Sequence, residues 1–314
     1  MGRTALIYDP IFLEHDAGPS HPECPERLVA ILEAIEAAPQ THSGLVLQTP
    51  SMASDQDIVA VHSPQHLASV KSWSQAERAV RINQDSLVSP RTFEAAMLAS
   101  GGAILAVNEI MAGRLAHAFC VHRPPGHHAE YEQCMGFCYF NHVAIAARYL
   151  QRRHGLERIA IIDWDVHHGN GTQHCFESDS SVFFFSVHEH PLYPGTGLGD
   201  EQGVGAGHGY TMNVPVPAGY GDRDYERIFV DQLRPAIDSF RPQFILISAG
   251  FDAHLRDPLG GMRLSEGGVE RMTEIVVQLA DEHCEGRLVS LLEGGYDHQA
   301  TAAAAAIHLD TLLG

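Results

Sequence analysis

Short apolar runs alternate along the chain with segments of helical periodicity. Runs of three to seven mostly apolar residues bounded by turn signals predict buried strands, and they occur at 4–8, 46–48, 117–121, 159–162, 181–187, 210–216, 244–248 and 288–292. Helical spacing predicts helices between them, at 27–38, 92–111, from beyond 138 to 153, at 222–240, at 265–284 and at the C-terminus, while 55–80 alternates helical pattern with polar breaks. Residues 85–90 are predicted to form a loop, and 169–171 (Gly-Asn-Gly) a turn.

This alternation of strands and helices predicts an α/β fold. Strand–helix–strand units build a mostly parallel sheet with helices on both faces. Because the sequence contains no linker, low-complexity segment or internal repeat, we expect a single domain over 1–314. The small residues of the helix at 92–111 predict close packing against its neighbours. The order of the strands does not follow from the pattern.

Composition narrows the classes of function. The chain has 314 residues, 45% of them hydrophobic, and a formal net charge of −19. Without a Lys/Arg run, nucleic acid is not an expected partner. The acidity suits a cationic substrate but is more simply explained by solubility. No signal-peptide pattern opens the chain, and no apolar stretch approaches membrane-spanning length, so we expect a cytoplasmic protein without membrane contact.

The cysteines add little chemistry. Six are present and none forms a CxxC motif, which predicts reduced thiols in a cytoplasmic protein. Cys134 and Cys138 have the spacing of half a zinc site, but no second pair matches them.

The segment 158–172, RIAIIDWDVHHGNGT, carries the densest polar chemistry. A buried strand delivers Asp163, Asp165 and His167 at its carboxyl end. Asp165 and His167 are two residues apart, so in extended chain both face the same side and could bind a metal. For this pair alone, a buried Asp–His hydrogen bond that organises a loop is the simpler interpretation.

Three other predicted strands also end in polar clusters. If the strands are parallel, all four ends lie at one edge of the sheet. The clusters are His127-His128, the Asp163/Asp165/His167 segment, Asp252, and Gly294-Gly295-Tyr296. Four polar clusters at one edge of the sheet indicate a functional site far more specifically than any single cluster does.

Together these residues predict metal-assisted hydrolysis of an amide or related acyl bond. Asp165, His167 and Asp252 form the three-ligand set of a catalytic Zn²⁺ site, although Fe²⁺ and Mn²⁺ also accept such ligands. One of the adjacent histidines, His127 and His128, can move the proton of a water to the leaving amine. The phenol of Tyr296 can donate to a developing oxyanion.

Four motifs resemble those of the zinc-dependent histone deacetylase family. They are RPPGHHA at 123–129, IDWDVHHGNGT at 162–172, SAGFDAH at 248–254 and LEGGYD at 292–297. Their order and approximate spacing match from His21 onward, most similarly to the class II branch and its bacterial histone-deacetylase-like amidohydrolases. The resemblance implies an arginase-like fold, metal ligands at Asp165, His167 and Asp252, and a structural K⁺.

The resemblance also implies a division of labour between the two histidines. His127 pairs with Asp163, and His128 pairs with Asn170, where class I members have Asp. His128 is then the principal general base and acid, and His127 gives electrostatic support. A carboxylate beside His127 raises its pKa, whereas a neutral amide beside His128 does not. Tyr296 matches the oxyanion-stabilising tyrosine of the family.

Further residues follow from the resemblance alone. The substrate tunnel is implied at Gly136, whose carbonyl accepts from the substrate amide, at Phe137, at Tyr193 or alternatively Leu192, and at Asp85 on the rim. An inner acetate cavity is implied at Arg27, His21 and Glu23. The K⁺ site is implied at the backbone of Asp163, Asp165 and His167, with Ser186 and Val187. Without the resemblance, the segment before Arg27 would be an ordinary connector with a surface arginine.

The identity of residue 259, a leucine (Leu259), indicates which class of substrate the tunnel accepts. An acidic residue there recognises the second ammonium in the polyamine-selective branch, so leucine implies a tunnel for acyl-lysine or a generic acylamine. The expected substrate is an acetyl-lysine peptide or protein, or a related short-chain acyl amine. One alternative is a small-molecule amidohydrolase that acts on acetylpolyamines or other acylated metabolites. The other is a non-catalytic acyl-lysine binder, against which His127, His128 and Tyr296 argue. Relatives include monomers and homo-oligomers, so the oligomeric state stays open.

Overall fold

The computed structural model describes residues 3–37 and 44–314. Within them, the strands are β1 (Thr4–Ile7), β2 (Leu45–Gln48), β3 (Val80–Arg81), β4 (Leu87–Val88), β5 (His117–Cys120), β6 (Ile159–Asp163), β7 (Val182–Glu189), β8 (Thr211–Val216), β9 (Phe244–Ala249) and β10 (Leu288–Leu292). The α-helices are α1 (Glu26–Glu36), α2 (Asp55–Ile58), α3 (Pro64–Ser74), α4 (Thr92–Met111), α5 (His142–His154), α6 (Asn170–Phe176), α7 (Asp222–Ile228), α8 (Arg234–Phe240), α9 (Glu266–His283) and α10 (His298–Leu313).

Eight of these strands form one parallel sheet. Its order is β2-β1-β5-β10-β9-β6-β7-β8, and each neighbouring pair is parallel. The carboxyl ends of all eight strands therefore lie at the same edge, where open α/β sheets place their sites. The strands that carry the predicted polar clusters, β5, β10, β9 and β6, are consecutive at the centre of this edge.

Helices cover both faces of the sheet. Successive side chains of a strand point to opposite faces, and β6 shows this: Ile162 packs in one core with residues of α1, α9 and α10, whereas Ile161 packs in another with residues of α4 and α5. Both isoleucines are fully buried. The predicted α/β fold, with a mostly parallel sheet between two helical layers, is confirmed.

Several predicted boundaries are confirmed and others are wrong by a few residues. Helix α4 and strand β10 have the predicted bounds, and the Cβ of any other residue at Gly101 of α4 would lie 1.8 Å from the Ser51 carbonyl oxygen, which confirms the close packing. Helix α1 begins one residue early, with Pro25 at its N-cap, and its predicted end at Ala38 lies outside the described residues.

Two predictions of local structure are wrong. The turn predicted at 169–171 is instead the start of α6, whose N-cap is Gly169. The single helix predicted over 222–240 is broken into α7, a π-helical turn (Phe229–Leu233) and α8. Pro235, in the first turn of α8, has no backbone N–H, so the regular α-helical hydrogen bonds cannot continue through it.

The predicted loop at 85–90 also contains structure. Strands β3 and β4 pair as a short antiparallel hairpin, and Asp85 lies in the turn between them. Asn83 Oδ1 accepts hydrogen bonds from the backbone N–H groups of Asp85 and Ser86, at 3.1 and 2.7 Å. This side-chain cap holds the turn and fixes the position of Asp85.

Within the part of the chain that the structure describes, one helix is long and apolar enough to cross a membrane, contrary to the prediction from the sequence. This helix is α4, and 67% of its most apolar window is buried inside the protein. Its small apolar residues pack against the core, as expected of a helix in a protein interior.

Candidate active site

Asp165, His167 and Asp252 meet at the carboxyl ends of β6 and β9. One ligand atom from each lies within 4.8 Å of the others, and all three residues are buried. His167 Nδ1 is 3.1 Å from Asp165 Oδ1 and 3.2 Å from Asp252 Oδ2. The sequence brought the first two together by their spacing, whereas the approach of Asp252 depends on the pairing of β6 with β9.

Backbone N–H groups fix the carboxylates of Asp165 and Asp252. Asp165 Oδ2 accepts from the Gly294 N–H at 2.8 Å, and Asp252 Oδ1 accepts from the Val166 N–H at 2.8 Å. One oxygen of each carboxylate is thereby left toward His167. Two carboxylate oxygens and one imidazole nitrogen fit a three-ligand zinc site.

Two glycines make room for these carboxylates. A Cβ at Gly294 would lie 2.0 Å from Asp252 Oδ2, and a Cβ at Gly250 would lie 2.2 Å from Asp165 Oδ2. Both distances are far below van der Waals contact. The ends of β9 and β10 therefore require glycine if the carboxylates are to converge.

His127 and His128 lie beside this cluster with their Nδ1 atoms engaged. His127 Nδ1 is 2.9 Å from Asp163 Oδ2, and His128 Nδ1 is 2.7 Å from Asn170 Oδ1. The amide nitrogen of Asn170 donates elsewhere, so Asn170 Oδ1 accepts, and the Nδ1–H of His128 is the donor. The Nε2 lone pair of His128 is then free to take a proton.

The two histidines have different proton affinities. Burial opposes charge on His127, but the carboxylates of Asp163 and Asp165 raise its pKa well above the usual value. Burial, together with the positive charges of His127 and His167, lowers the pKa of His128 well below the usual value. The expected contacts with Asp163 and Asn170 are present, and the Asp163 carboxylate contributes to the raised pKa of His127, whereas burial and the charged histidines account for the lowered pKa of His128.

Glu130 is a neighbour that the sequence analysis missed. Its Oε1 accepts from Asn170 Nδ2 at 2.5 Å and lies 2.8 Å from Nδ1 of the half-exposed His174. The Asn170 amide that orients His128 therefore donates in turn to the Glu130 carboxylate. The signal was in the sequence, since Glu130 directly follows the RPPGHHA motif.

Glu293 is a second residue that was missed. This buried carboxylate directly follows β10 and accepts from the backbone N–H groups of Gly126 and His127, at 2.7 and 3.2 Å. It also accepts from the Ser248 hydroxyl at 3.0 Å. Burial raises the pKa of Glu293 to about 7. Glu293 ties the loop after β5 to β9 and β10, and its place at a strand end was the available signal.

Tyr296 follows β10 and faces the same space. Its backbone N–H donates to Asp257 Oδ2 at 2.6 Å, and the Arg27 guanidinium lies 4.9 Å from its ring centroid. Burial raises the pKa of the phenol well above its usual value. Tyr296 is therefore a neutral hydroxyl that can donate a hydrogen bond.

The predicted tunnel residues surround one cavity of about 260 Å³. It is lined by Asp85, His128, Gly136, Phe137, His167, Leu192, Tyr193, Leu259 and Tyr296. Both candidates for the second wall, Tyr193 and Leu192, line it, and the Tyr193 ring packs edge-on against His128 with the centroids 5.2 Å apart.

The residues predicted for an acetate cavity contact one another through Glu23. Arg27 and Glu23 form a buried ion pair at 3.0 Å, and Glu23 also pairs with Arg123. Arg27 donates to the carbonyl oxygens of Gly295 and Glu293 at 2.5 and 2.6 Å, so the alternative of a surface arginine is wrong. His21 Nδ1 accepts from the Glu23 backbone N–H at 3.1 Å, and its ring packs against Phe137 of the tunnel, with the ring centroids 4.6 Å apart.

The residues predicted for a K⁺ site are neighbours in the sheet. Asp163 of β6 pairs in register with Ser186 of β7, and Val187 follows Ser186 in β7. The Ser186 hydroxyl is 2.9 Å from His188 Nδ1. The structure brings these backbones together, and their occupant stays a prediction. All six cysteines, including Cys134 and Cys138, are free thiols.

Comparisons with known proteins show the family to which this chain is related. Residues 21–312 match the histone deacetylase domain family. A probable deacetylase of Archaeoglobus fulgidus is 40% identical over 294 residues, 93% of this chain and 81% of that protein. A histone deacetylase-like amidohydrolase of Pseudomonas aeruginosa is 36% identical over 94% of this chain and 82% of its own length.

A solved structure shows the same fold. The crystal structure of the HDA15 HD domain superimposes with a TM-score of 0.95 at 37% identity, covering 100% of this chain and 90% of that one. The family is generally zinc-dependent. The chain belongs to the histone deacetylase family and is a hydrolytic deacetylase.

Proposed function

We propose that this enzyme is a zinc-dependent deacetylase that hydrolyses the amide of acetyl-lysine or a related short-chain acyl amine. The observation that carries the proposal is the convergence of Asp165 and Asp252 on His167, which lines a cavity together with His128 and Tyr296. Metal ligands, a proton carrier and an oxyanion donor are the groups that metal-assisted amide hydrolysis needs.

Asp165, His167 and Asp252 would hold the metal. Zn²⁺ suits the donor set, and Fe²⁺ or Mn²⁺ are the alternatives. When bound, the ion supplies Lewis acidity that polarises the amide carbonyl and makes a water nucleophilic near neutral pH. We also place a structural K⁺ at the backbones of Asp163 and Ser186.

The two histidines and Tyr296 carry out proton transfer and stabilise the developing negative charge. The free Nε2 of His128 takes a proton from the attacking water and returns it to the leaving amine. His127, charged beside Asp163, stabilises the negative charge that develops in the transition state. The Tyr296 hydroxyl donates to the oxyanion that forms at the former carbonyl oxygen.

The cavity suits the acyl-aminoalkyl part of a lysine side chain. Phe137 and Tyr193 form aromatic walls, and the carbonyl of Gly136 would accept from the substrate amide N–H. Leu259 adds an apolar side chain where a second ammonium would need a carboxylate. These contacts support acetyl-lysine or another monoacylated amine over acetylpolyamines.

Substitution of Tyr296 by Phe tests the mechanism. The ring remains, but the oxyanion loses its donor, so we expect kcat to fall by about 10²–10³-fold. Acetate release from acetylated peptides and amines, with and without chelator, measures this loss. The variant should retain stoichiometric zinc in elemental analysis, because Tyr296 is outside the proposed ligand set.

Two outcomes would contradict the proposal. Turnover of the Tyr296→Phe enzyme close to that of wild type removes the assigned role of the hydroxyl. An enzyme that releases acetate equally well after complete metal removal does not use the proposed metal site at all.

A further inference from the structure

A hydrogen bond crosses the mouth of the cavity. The Tyr193 hydroxyl donates to Asp85 Oδ2 at 2.8 Å. Asp85 lies in the turn between β3 and β4, and Tyr193 lies in the segment after β7, so the bond joins two loops that are far apart in sequence. Both residues line the cavity at its half-exposed end.

The carboxylate of Asp85 already has several donors. Its Oδ2 also accepts from the Gly136 N–H at 3.2 Å, and its Oδ1 accepts from the Ser86 hydroxyl at 2.7 Å. A carboxylate offers about four acceptor positions, two on each oxygen. Both positions on Oδ2 are occupied, and one of the two occupants is the Tyr193 hydroxyl.

The ring and the hydroxyl of Tyr193 have separate contacts. The ring packs edge-on against His128 and lies 6.2 Å, centroid to centroid, from His167. The hydroxyl points outward to the rim, where the side chain is 39% exposed. Burial and the nearby Asp85 carboxylate raise the pKa of Tyr193, so the hydroxyl stays a donor. A phenylalanine would keep the wall and lose only the bond.

An acylated lysine within a peptide brings main-chain N–H groups to the mouth when its side chain enters the cavity. Those donors need acceptors once they leave water. A donor that approaches Oδ2 of Asp85 must compete with the Tyr193 hydroxyl, whereas Oδ1, which accepts from Ser86, keeps one acceptor position. An acylated alkylamine without flanking amides brings no such donors and leaves the bond intact.

We propose that the Tyr193–Asp85 hydrogen bond acts as a specificity clasp that disfavours acylated lysines in a peptide main chain. The preferred substrates are then acylated primary amines without flanking amide groups. The proposal rests on the deacetylase function proposed above and names the substrate class of that same site.

The test compares two substrates that share an acetylated aliphatic amine. One is a short peptide with acetyl-lysine between two amide-linked residues, and the other is N-pentylacetamide. The Tyr193→Phe enzyme should show a ratio of kcat/KM, peptide over amine, about two- to tenfold above wild type, the scale of one net hydrogen bond. Tyr210→Phe removes a hydroxyl at the opposite edge of the sheet and should leave the ratio unchanged.

A double-mutant cycle ties the effect to the carboxylate. In an Asp85→Ala background, Tyr193→Phe should no longer change the ratio, because the acceptor is gone. An unchanged or lower ratio for Tyr193→Phe alone overturns the clasp, as does an equal rise in both backgrounds.

The two proposals fail differently. If the wild-type enzyme releases acetate from neither substrate, the deacetylase function fails and the clasp fails with it. If it hydrolyses both substrates and Tyr193→Phe leaves their ratio unchanged, only the clasp is wrong.

Discussion

Asp257 joins the tunnel wall to the turn that carries Tyr296. Its Oδ1 accepts from the Leu259 N–H at 2.9 Å, and its Oδ2 accepts from the Tyr296 N–H at 2.6 Å. Arg27 holds the same turn from its other side through the carbonyl oxygens of Glu293 and Gly295. The hydroxyl of Tyr296 is therefore aimed by its own backbone, which two buried charged groups fix.

Asp257→Asn should lower kcat about tenfold and change KM much less. An amide has one acceptor oxygen, so either Leu259 or Tyr296 loses its partner, and a small displacement of Tyr296, the proposed oxyanion donor, acts mainly on the transition state. Steady-state kinetics measure the separation of kcat from KM. Asp222→Asn, which disturbs a comparable bridge to the backbone and hydroxyl of Ser265 far from the site, is the control. If both variants change kcat equally, Asp257 does not position Tyr296.

At the scale of elements, the site is built from strand ends. Strands β5, β10, β9 and β6 are neighbours, and each contributes a group at its carboxyl end. The hydrophobic pattern predicted these strands because their buried runs are local in sequence. It did not predict α6 or the π-helical turn, because the first begins at a Gly-Asn-Gly sequence typical of turns and the second arises from a proline within an otherwise helical pattern.

Gly294→Ala tests how closely the strand ends must approach. The added Cβ would lie 2.0 Å from Asp252 Oδ2 and 2.7 Å from Asp165 Oδ2, so the carboxylates must move apart. We expect zinc affinity to fall by about 10–100-fold, the scale for residues that orient metal ligands. Competition with a chelator of known affinity measures it.

Gly267→Ala is the matched control for this substitution. Its Cβ would meet only Ser265 Oγ, at an ordinary 3.5 Å, and it lies in the first turn of α9. This variant should bind zinc as wild type does. Undiminished zinc affinity in Gly294→Ala would show that the strand ends have more freedom than the structure indicates.

At the scale of the whole molecule, many of the 21 histidines are structural. His308 is fully buried and lies 2.8 Å from both the Thr273 and Ser290 hydroxyls, which links α10 to α9 and β10. Burial lowers the pKa of His308 and of His62 to about 3, and that of His122 to about 4. These side chains are neutral in the folded protein well below the pH at which they protonate in the unfolded chain.

Stability should therefore fall in mild acid. Between pH 6.5 and about 4, the unfolded state binds protons that the folded state excludes, so the free energy of unfolding decreases as pH decreases. Well below pH 6.5, each such histidine contributes about 1.4 kcal/mol per pH unit. Urea unfolding at several pH values measures the slope of the free energy of unfolding against pH. His308→Gln should reduce this slope by about 1.4 kcal/mol per pH unit, the equivalent of one proton.

The comparison between variants isolates His308 from carboxylates that titrate in the same range. His208→Gln, at an exposed position, should leave the slope as in wild type. If His308→Gln and wild type lose stability in parallel as pH falls, His308 is not among the groups that make the fold sensitive to acid.

The sequence alone determined the fold class and the family, and it named the candidate site residues. Buried runs and helical spacing are local properties, and Asp165, His167, Asp252 and Tyr296 lie at the ends of such runs. The tertiary structure decided which groups meet. Strand order made β5, β10, β9 and β6 neighbours, and packing placed Glu130 behind Asn170 and Asp257 behind Tyr296. The Tyr193–Asp85 bond joins loops 108 residues apart, a contact that depends on long-range packing and that no local pattern encodes.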